Sequence, residues 1–187
     1  QVDLGDLELL DNVSLFRLDA DGRYLRSGFA GVGDLDGDGP GEIAVGLPLQ
    51  FNPFGGGTSA VFLVRGGTDL PRTIDIGAPE LPLAATTFHA AGLGDLLGLG
   101  VAPAGDMNGD GVPDLFLGAP RASPRGKSEA GEAYVVYGRA DFGAHVQISD
   151  PWEGVRILGE GAYNNLGRTA SPAGDFDGDG TDDLLIL

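Results

Sequence analysis

The amino-acid sequence predicts an all-β fold made of repeated, short-stranded sheets, and three observations carry that prediction. Acidic loops recur three times: Asp34-Leu-Asp36-Gly-Asp38-Gly39-Pro-Gly-Glu42, Asp106-Met-Asn108-Gly-Asp110-Gly111-Val-Pro-Asp114 and Asp175-Phe-Asp177-Gly-Asp179-Gly180-Thr-Asp-Asp183. Each is followed directly by a short apolar run of the kind that forms a buried strand, and no convincing amphipathic helical period separates them. The loops open at Asp34, Asp106 and Asp175, 72 and 69 residues apart, and a long fixed period marks a repeat architecture.

Taken in chain order, the other elements repeat as well. Val2-Asp3-Leu4, Ile74-Asp75-Ile76 and Val146-Gln147-Ile148 start 72 residues apart. Short strands are expected next at Val13 to Leu18, Thr86 to His89 and Val155 to Leu158. Behind the acidic loops, Glu42-Ile-Ala-Val-Gly46, Asp114-Leu-Phe-Leu-Gly118 and Asp183-Leu-Leu-Ile-Leu187 read as buried strands, so each loop joins two strands and its ninth-position acid begins the second. Ala60-Val-Phe-Leu-Val64 then matches Ala133-Tyr-Val-Val-Tyr137, ahead of Gly66 and Gly138. About four strands per period suit the blade of a β-propeller better than a helical solenoid. The repeats divide the chain at approximately 1–72, 73–144 and 145–187, the third truncated, giving about two and a half to three blades of an incomplete propeller.

The loops place oxygen side chains at positions 1, 3, 5 and 9 of a tight glycine-bearing turn. A hard cation such as Ca²⁺ takes about six to eight oxygen ligands, and alternate residues of a tight loop can aim several carboxylates at one centre. Asp-Gly pairs also serve as plain hairpin turns, but a turn needs one such pair. Three or four acids within nine residues repel one another unless a cation neutralises them. An EF-hand is excluded: position 12 is Val45, Leu117 and Ile186 where a bidentate Glu is required, and strands replace the flanking helices. Three calcium sites are therefore expected. Asp34, Asp36, Asp38, Glu42 and the Pro40 carbonyl would form the first, and Asp106, Asn108, Asp110, Asp114 and the Val112 carbonyl the second. Asp175, Asp177, Asp179, Asp183 and the Thr181 carbonyl would form the third, position 7 giving backbone oxygen as in other calcium loops. Gly39, Gly111 and Gly180 would allow the sharp turn.

With these motifs the chain resembles the FG-GAP repeats of the integrin alpha-subunit N-terminal propeller and its bacterial relatives. Leu97-Gly98 and Leu166-Gly167, the three acidic loops, and Gly118-Ala119-Pro120 with its variant Gly46-Leu47-Pro48 carry the resemblance, which spans nearly the whole chain. Leu replaces the family's Phe in repeats two and three, and repeat one has Leu25-Arg26 at the matching offset, without the glycine. The resemblance implies that each calcium loop is the hairpin between the innermost and second strands of a blade. It also implies that the ions lie opposite the main ligand surface. The segments Leu47 to Ser59 and Ala119 to Gly131, with those near Asp19 to Arg26, Gly92 to Leu97 and Gly159 to Leu166, would then share that other face.

Composition narrows the function. The net charge is −17, from 28 acids against 11 Lys and Arg, and three bound Ca²⁺ ions would reduce it to about −11, still repelling polyanions. Nucleic acid and anionic membrane are excluded as partners on that ground, and no transmembrane run or signal peptide is visible. No cysteine is present, so there is no disulfide framework and no thiol chemistry. Loops lacking the position-12 Glu suit the weak calcium affinities of extracellular modules, about 10⁻⁴ to 10⁻³ M, which points to an extracellular, cell-surface or periplasmic address. Asn12-Val-Ser14 is a glycosylation sequon that chance also explains. His89 and His145 stand outside any nucleophile or zinc motif, and the glycine-rich stretches complete no phosphate-binding pattern, so no catalytic residue is assigned. Trp152, Tyr163, Phe51 and Phe54 read either as partner anchors or as caps on the blade core. Arg121, Arg125 and Lys127 form the one basic loop.

The expected function is a non-enzymatic, calcium-stabilised extracellular propeller segment that acts as a scaffold for adhesion or protein recognition, its ligand a protein or a glycan. An accessory propeller of a secreted hydrolase or lyase, with its catalytic domain elsewhere, is the alternative. Since a closed propeller needs at least about four blades, the open ends are expected to be completed by further blades or by a second copy.

Overall fold

The computed structural model describes residues 17–19, 28–48, 59–67, 73–75, 84–92, 94–149 and 153–187. Its strands are β1 (Arg17–Asp19), β2 (Phe29–Gly33), β3 (Glu42–Leu47), β4 (Ala60–Val64), β5 (Thr73–Asp75), β6 (Ala84–His89), β7 (Gly100–Gly105), β8 (Asp114–Ala119), β9 (Glu132–Val136), β10 (His145–Gln147), β11 (Gly154–Leu158), β12 (Ala170–Gly174) and β13 (Asp183–Ile186). A single 3-10 turn, Pro124–Gly126, is the one helical element among the described residues. The fold is all-β, as the sequence predicts.

Antiparallel neighbours form propeller blades. Blade 1 runs β2-β3-β4-β6 and blade 2 runs β7-β8-β9-β11, while β12 and β13 form the first hairpin of blade 3. Each acidic loop is the hairpin between the first and second strands of a blade. Immediately before each loop the register shifts by a β-bulge, between Gly31 and Gly33, Pro103 and Gly105, and Pro172 and Gly174. A bulge of this kind sharpens the local twist and re-aims the chain into the turn.

Blade faces stack on one another, which explains why the strand sequences are apolar at successive positions rather than alternate ones. Leu115, Leu117, Tyr134 and Val136 of blade 2 join one core with Val32, Ala44, Val61, Leu63 and Phe88 of blade 1. The intervening residues Phe116, Ala133 and Val135 point the other way, into a second core with Ala170, Leu184 and Ile186 of blade 3. Backbones approach closely between these layers. A Cβ on Gly118 would lie 1.7 Å from the Gly167 carbonyl oxygen, and one on Gly46 would lie 2.0 Å from that of Gly98. The Leu-Gly element of one blade thus seats on the Gly-Ala-Pro or Gly-Leu-Pro element of the blade before it, and only glycine admits that contact.

The 72-residue triplets form a second tie between blades. β10, in the segment between the third and fourth strands of blade 2, crosses back and pairs parallel with β6, the outer strand of blade 1. β5 pairs with β1 in the same way, Ile74 opposite Leu18. Val2-Asp3-Leu4 lies outside the described residues, as do Asn12 to Ser14, Leu25-Arg26, Phe51, Phe54 and Trp152. Thr87 N donates to Ala144 O at 3.0 Å, Ile148 N to His89 O at 3.0 Å, and the Thr86 hydroxyl to Gly143 O at 2.8 Å. The two histidines meet on this clasp, His89 Nε2 lying 3.3 Å from His145 Nδ1.

Phe116 is fully buried in the second core, so Phe116→Ala is expected to destabilise the chain by about 3–5 kcal/mol, read as a lower urea midpoint at unchanged m. Burial and then the neighbouring His145 hold the His89 imidazole below the usual histidine range. The folded chain therefore takes up this proton less readily than the unfolded one. Its stability is intact above a pH of about 6.5 and declines as pH falls through that value. Melting at pH 8 and pH 5.5 should show this loss, reduced in His145→Ala; an equal loss in both proteins would show that the pair is not responsible.

Candidate metal centres

Three loops of different sequence fold onto one hydrogen-bond scheme. The ninth-position carboxylate reaches back to the second residue's N–H: Leu35 N to Glu42 Oε2 at 2.6 Å, Met107 N to Asp114 Oδ2 at 2.8 Å, and Phe176 N to Asp183 Oδ2 at 2.8 Å. The first aspartate accepts from the sixth residue: Gly39 N to Asp34 Oδ2 at 3.0 Å, Gly111 N to Asp106 Oδ2 at 2.8 Å, and Gly180 N to Asp175 Oδ2 at 3.2 Å. The third residue accepts from the fifth, with Asp38 N, Asp110 N and Asp179 N donating to Asp36, Asn108 and Asp177 at 3.0 to 3.1 Å. Gly39, Gly111 and Gly180 turn with φ of 111°, 87° and 96°, the left-handed region that glycine enters without cost from a Cβ. In loops one and three the carboxylates at positions 1, 3 and 9 converge on the inside of the hairpin.

In loop one, single oxygens of Asp34, Asp36 and Glu42 all lie within 4.8 Å of one another, and in loop three those of Asp175, Asp177 and Asp183 do the same. Loop two carries Asn108 at the third position, where it donates from Nδ2 to Asp110 Oδ2 at 2.8 Å. Burial differs in parallel. Glu42 is 1% exposed and Asp114 0%, whereas every acid of loop three is half-buried or exposed. Desolvation raises the pKa of both Glu42 and Asp114, opposed by the N–H groups that each accepts and reinforced by neighbouring acids, Asp36 and Asp38 for Glu42, Asp110 and Asp106 for Asp114. Asp179 is shifted the other way by the Thr181 hydroxyl and N–H.

The residues present fit a hard divalent cation. The donor set is oxygen alone, without imidazole or thiolate. Glu42 Oε1 and Asp34 Oδ1 are buried and have no hydrogen-bond partner, and an unpaired buried carboxylate oxygen is costly unless something positive meets it.

Several contributors were not singled out from sequence. Leu35, at the second position of loop one, is fully buried, and its carbonyl accepts from Arg139 N at 2.9 Å. Arg65 Nε lies 3.3 Å from Asp36 Oδ2. On the far end of the blades, Glu132 is buried against Arg156, whose Nε and Nη2 reach its two oxygens at 3.0 and 2.8 Å, and the Tyr134 hydroxyl donates to the same carboxylate. A Gly-Asp pair at the mouth of every loop, Gly33-Asp34, Gly105-Asp106 and Gly174-Asp175, was the available signal for the bulges.

At that far end the loops after β6, β8 and β11 lie against one another. Arg121 N donates to Asp95 O at 3.1 Å, Tyr163 N to Ser128 O at 2.8 Å, and Asn165 N to Glu129 O at 3.1 Å. Arg121, Arg125 and Lys127 are exposed there, and Tyr163 is 69% exposed. Among the described residues, the five non-glycine residues with positive φ all fall on these loops: Leu96, Arg125, Glu129, Tyr163 and Asn165.

Stacked four-stranded blades, each entered through an acidic bulged hairpin, define a class of propeller repeats with acidic loops. The chain belongs to the FG-GAP repeat family, whose sequence model matches residues 98–136, from the Leu97-Gly98 turn through the second acidic loop to the end of β9. It is 32% identical over 173 residues to phosphatidylinositol-glycan-specific phospholipase D of Bos taurus, covering 87% of this chain and 18% of that protein. It is 28% identical to integrin alpha-7 of Mus musculus over 172 residues, 88% of this chain and 12% of that protein. With integrin alpha-4 of Xenopus laevis the identity is 28% over 176 residues, 90% and 15% respectively. The chain spans less than a fifth of the length of these relatives. No helix among the described residues is long and apolar enough to cross a membrane.

Proposed function

We propose that this chain is a calcium-stabilised, non-catalytic propeller segment that works outside the cell as a scaffold for adhesion or protein recognition. The observation that carries the calcium reading is the buried pair of unpartnered oxygens, Glu42 Oε1 and Asp34 Oδ1, in a loop where Asp36 joins the same two residues within 4.8 Å. When bound, Ca²⁺ supplies the positive charge that such a set of carboxylates lacks. The chain's own residues do the positioning: position 9 anchors the start of the second strand, position 1 closes the turn, and position 3 holds position 5. The ligand assignments are those expected from sequence, including the Pro40, Val112 and Thr181 carbonyls and the side chains of Asp38, Asp110 and Asp179.

Recognition is assigned to the opposite end of the blades. Strained backbone persists where surrounding structure enforces it, and it gathers at binding surfaces. The exposed Arg121, Arg125, Lys127 and Tyr163 there offer cationic and aromatic contacts to a protein, or to a glycan. The relatives named integrin support this reading, and the 32% match to proteins named phospholipase D supports a second, an accessory propeller joined to a secreted hydrolase. The complete parent polypeptide separates the two, since only the second requires an attached catalytic domain.

Blade 3 bears on completion of the ring. Leu185 stands where blade 2 has Phe116, and Phe176 where blade 1 has Leu35; both counterparts are fully buried, yet Leu185 is 62% and Phe176 84% exposed. We assign this apolar face to contact with a further blade or a second copy.

Two measurements test these readings. With Ca²⁺ at about ten times its Kd, each filled site adds about 1.4 kcal/mol, so melting should rise with millimolar Ca²⁺ and fall again with chelator. Glu42→Gln should diminish the rise; no rise in the unaltered chain ends the calcium reading. Light scattering of the 187-residue chain after size exclusion should show self-association, and a stable, well-folded monomer would count against an exposed face awaiting a second copy or blade.

A further inference from the structure

The second and third acidic loops are bolted together by a residue that neither loop uses as a candidate ligand. Asp182 stands between Thr181 and Asp183, the seventh and ninth positions of loop three. Its carboxylate Oδ2 accepts from Asp106 N at 2.9 Å, and its own N–H donates to Asp106 O at 3.0 Å. Asp106 opens loop two, and its side chain accepts from Gly109, Asp110 and Gly111 N–H groups. The contact is close by construction, since a Cβ on Gly105 would fall 2.4 Å from Asp182 Oδ2. At the preceding interface the equivalent neighbours are Gly33 and Pro113, whose ring lacks both the carboxylate and the N–H.

We propose that Asp182 is a positioning residue that couples cation binding at loops two and three, so that filling either loop raises the affinity of the other. The inference rests on the calcium reading above. Drawing the Thr181 carbonyl and the Asp183 carboxylate onto one centre fixes Asp182 between them. Through its two bonds, a fixed Asp182 fixes the backbone of Asp106 and hence the turn that Asp106 closes. Ordering is then shared: the first ion bears most of the loss of freedom for both loops, and the second bears less. The Asp182 carboxylate adds a negative charge between the loops that opposes repulsion between two cations. Linkage makes the effect reciprocal, and an increment at the low end of known couplings, about fivefold, is expected.

The test is a calcium titration of the full chain followed by amide resonances of loop glycines. Gly109 and Gly111 report on loop two, Gly178 and Gly180 on loop three, and Gly37 and Gly39 on loop one. Asp177→Ala, which removes a loop-three ligand without touching Asp182, should raise the Gly109 and Gly111 midpoint about fivefold. Asp110→Ala should raise the Gly178 and Gly180 midpoint by the same factor. Introducing Asp182→Ala should leave both loops able to bind but abolish these cross-effects, while Asp182→Asn, which keeps an acceptor oxygen and the N–H but not the charge, should restore the share carried by the two hydrogen bonds. Unchanged dispersion of the loop-one glycines controls for folding. If loop three is silenced and the loop-two midpoint stays put, or if Asp182→Ala preserves the cross-effect, the coupling is wrong. If no glycine responds to Ca²⁺ in the unaltered chain, the calcium reading itself fails.

Discussion

Blade 2 lies between two other sheets, and a sheet buried on both faces can carry no polar side chain along its strands without a partner. That constraint organises the molecule. The middles of β8 and β9 are filled with Leu, Phe, Ala, Tyr and Val, and the charged residues are driven to strand ends. At the start of β9, Glu132 is tolerated because Arg156 and Tyr134 saturate it. At the start of β8, Asp114 is tolerated because Met107 and Gly138 both donate to it. One end of each blade thereby collects acids in a hairpin, and the other collects a mixed set of loops.

The acids of each hairpin do two things that are hard to separate. As acceptors of backbone N–H groups they shape the turn, and as convergent carboxylates they create a centre of negative charge. Asn108 illustrates the distinction, because an amide oxygen shapes the turn as well as a carboxylate does while carrying no charge. Burial then grades the three centres. Glu42 in loop one is enclosed, with an oxygen left unpaired, whereas the acids of loop three retain access to water.

Much of this was legible in the sequence because it depends on neighbours along the chain. The loop positions, β3, β4, β8 and β9, and the strand–loop–strand reading each rest on a few consecutive residues, and the structure places them within a residue or so of the expected limits. The 72-residue triplets were visible as a period but not as a clasp, since a three-residue strand is defined by its partner and β6 lies far off in sequence. The same holds for the meeting of His89 with His145, for Arg65 beside Asp36 and for the burial of Leu35 under Arg139. The Leu-Gly and Gly-Ala-Pro elements were recognisable as signatures. Their physical reason, glycine backbones in contact between blades, emerges only once the sheets are stacked.

The β10–β6 pairing has a consequence for synthesis. Blades overlap like roof shingles: the strip that seals the outer margin of blade 1 is encoded 56 residues downstream, measured from His89 to His145, inside the stretch that builds blade 2. At translation rates of about 5–20 residues per second, a nascent blade 1 waits roughly 3–11 s with that margin bare. A cut placed at the end of a blade therefore removes its neighbour's seal. Blades transplanted or shuffled in such a stack must carry the overlapping strip of the next blade with them.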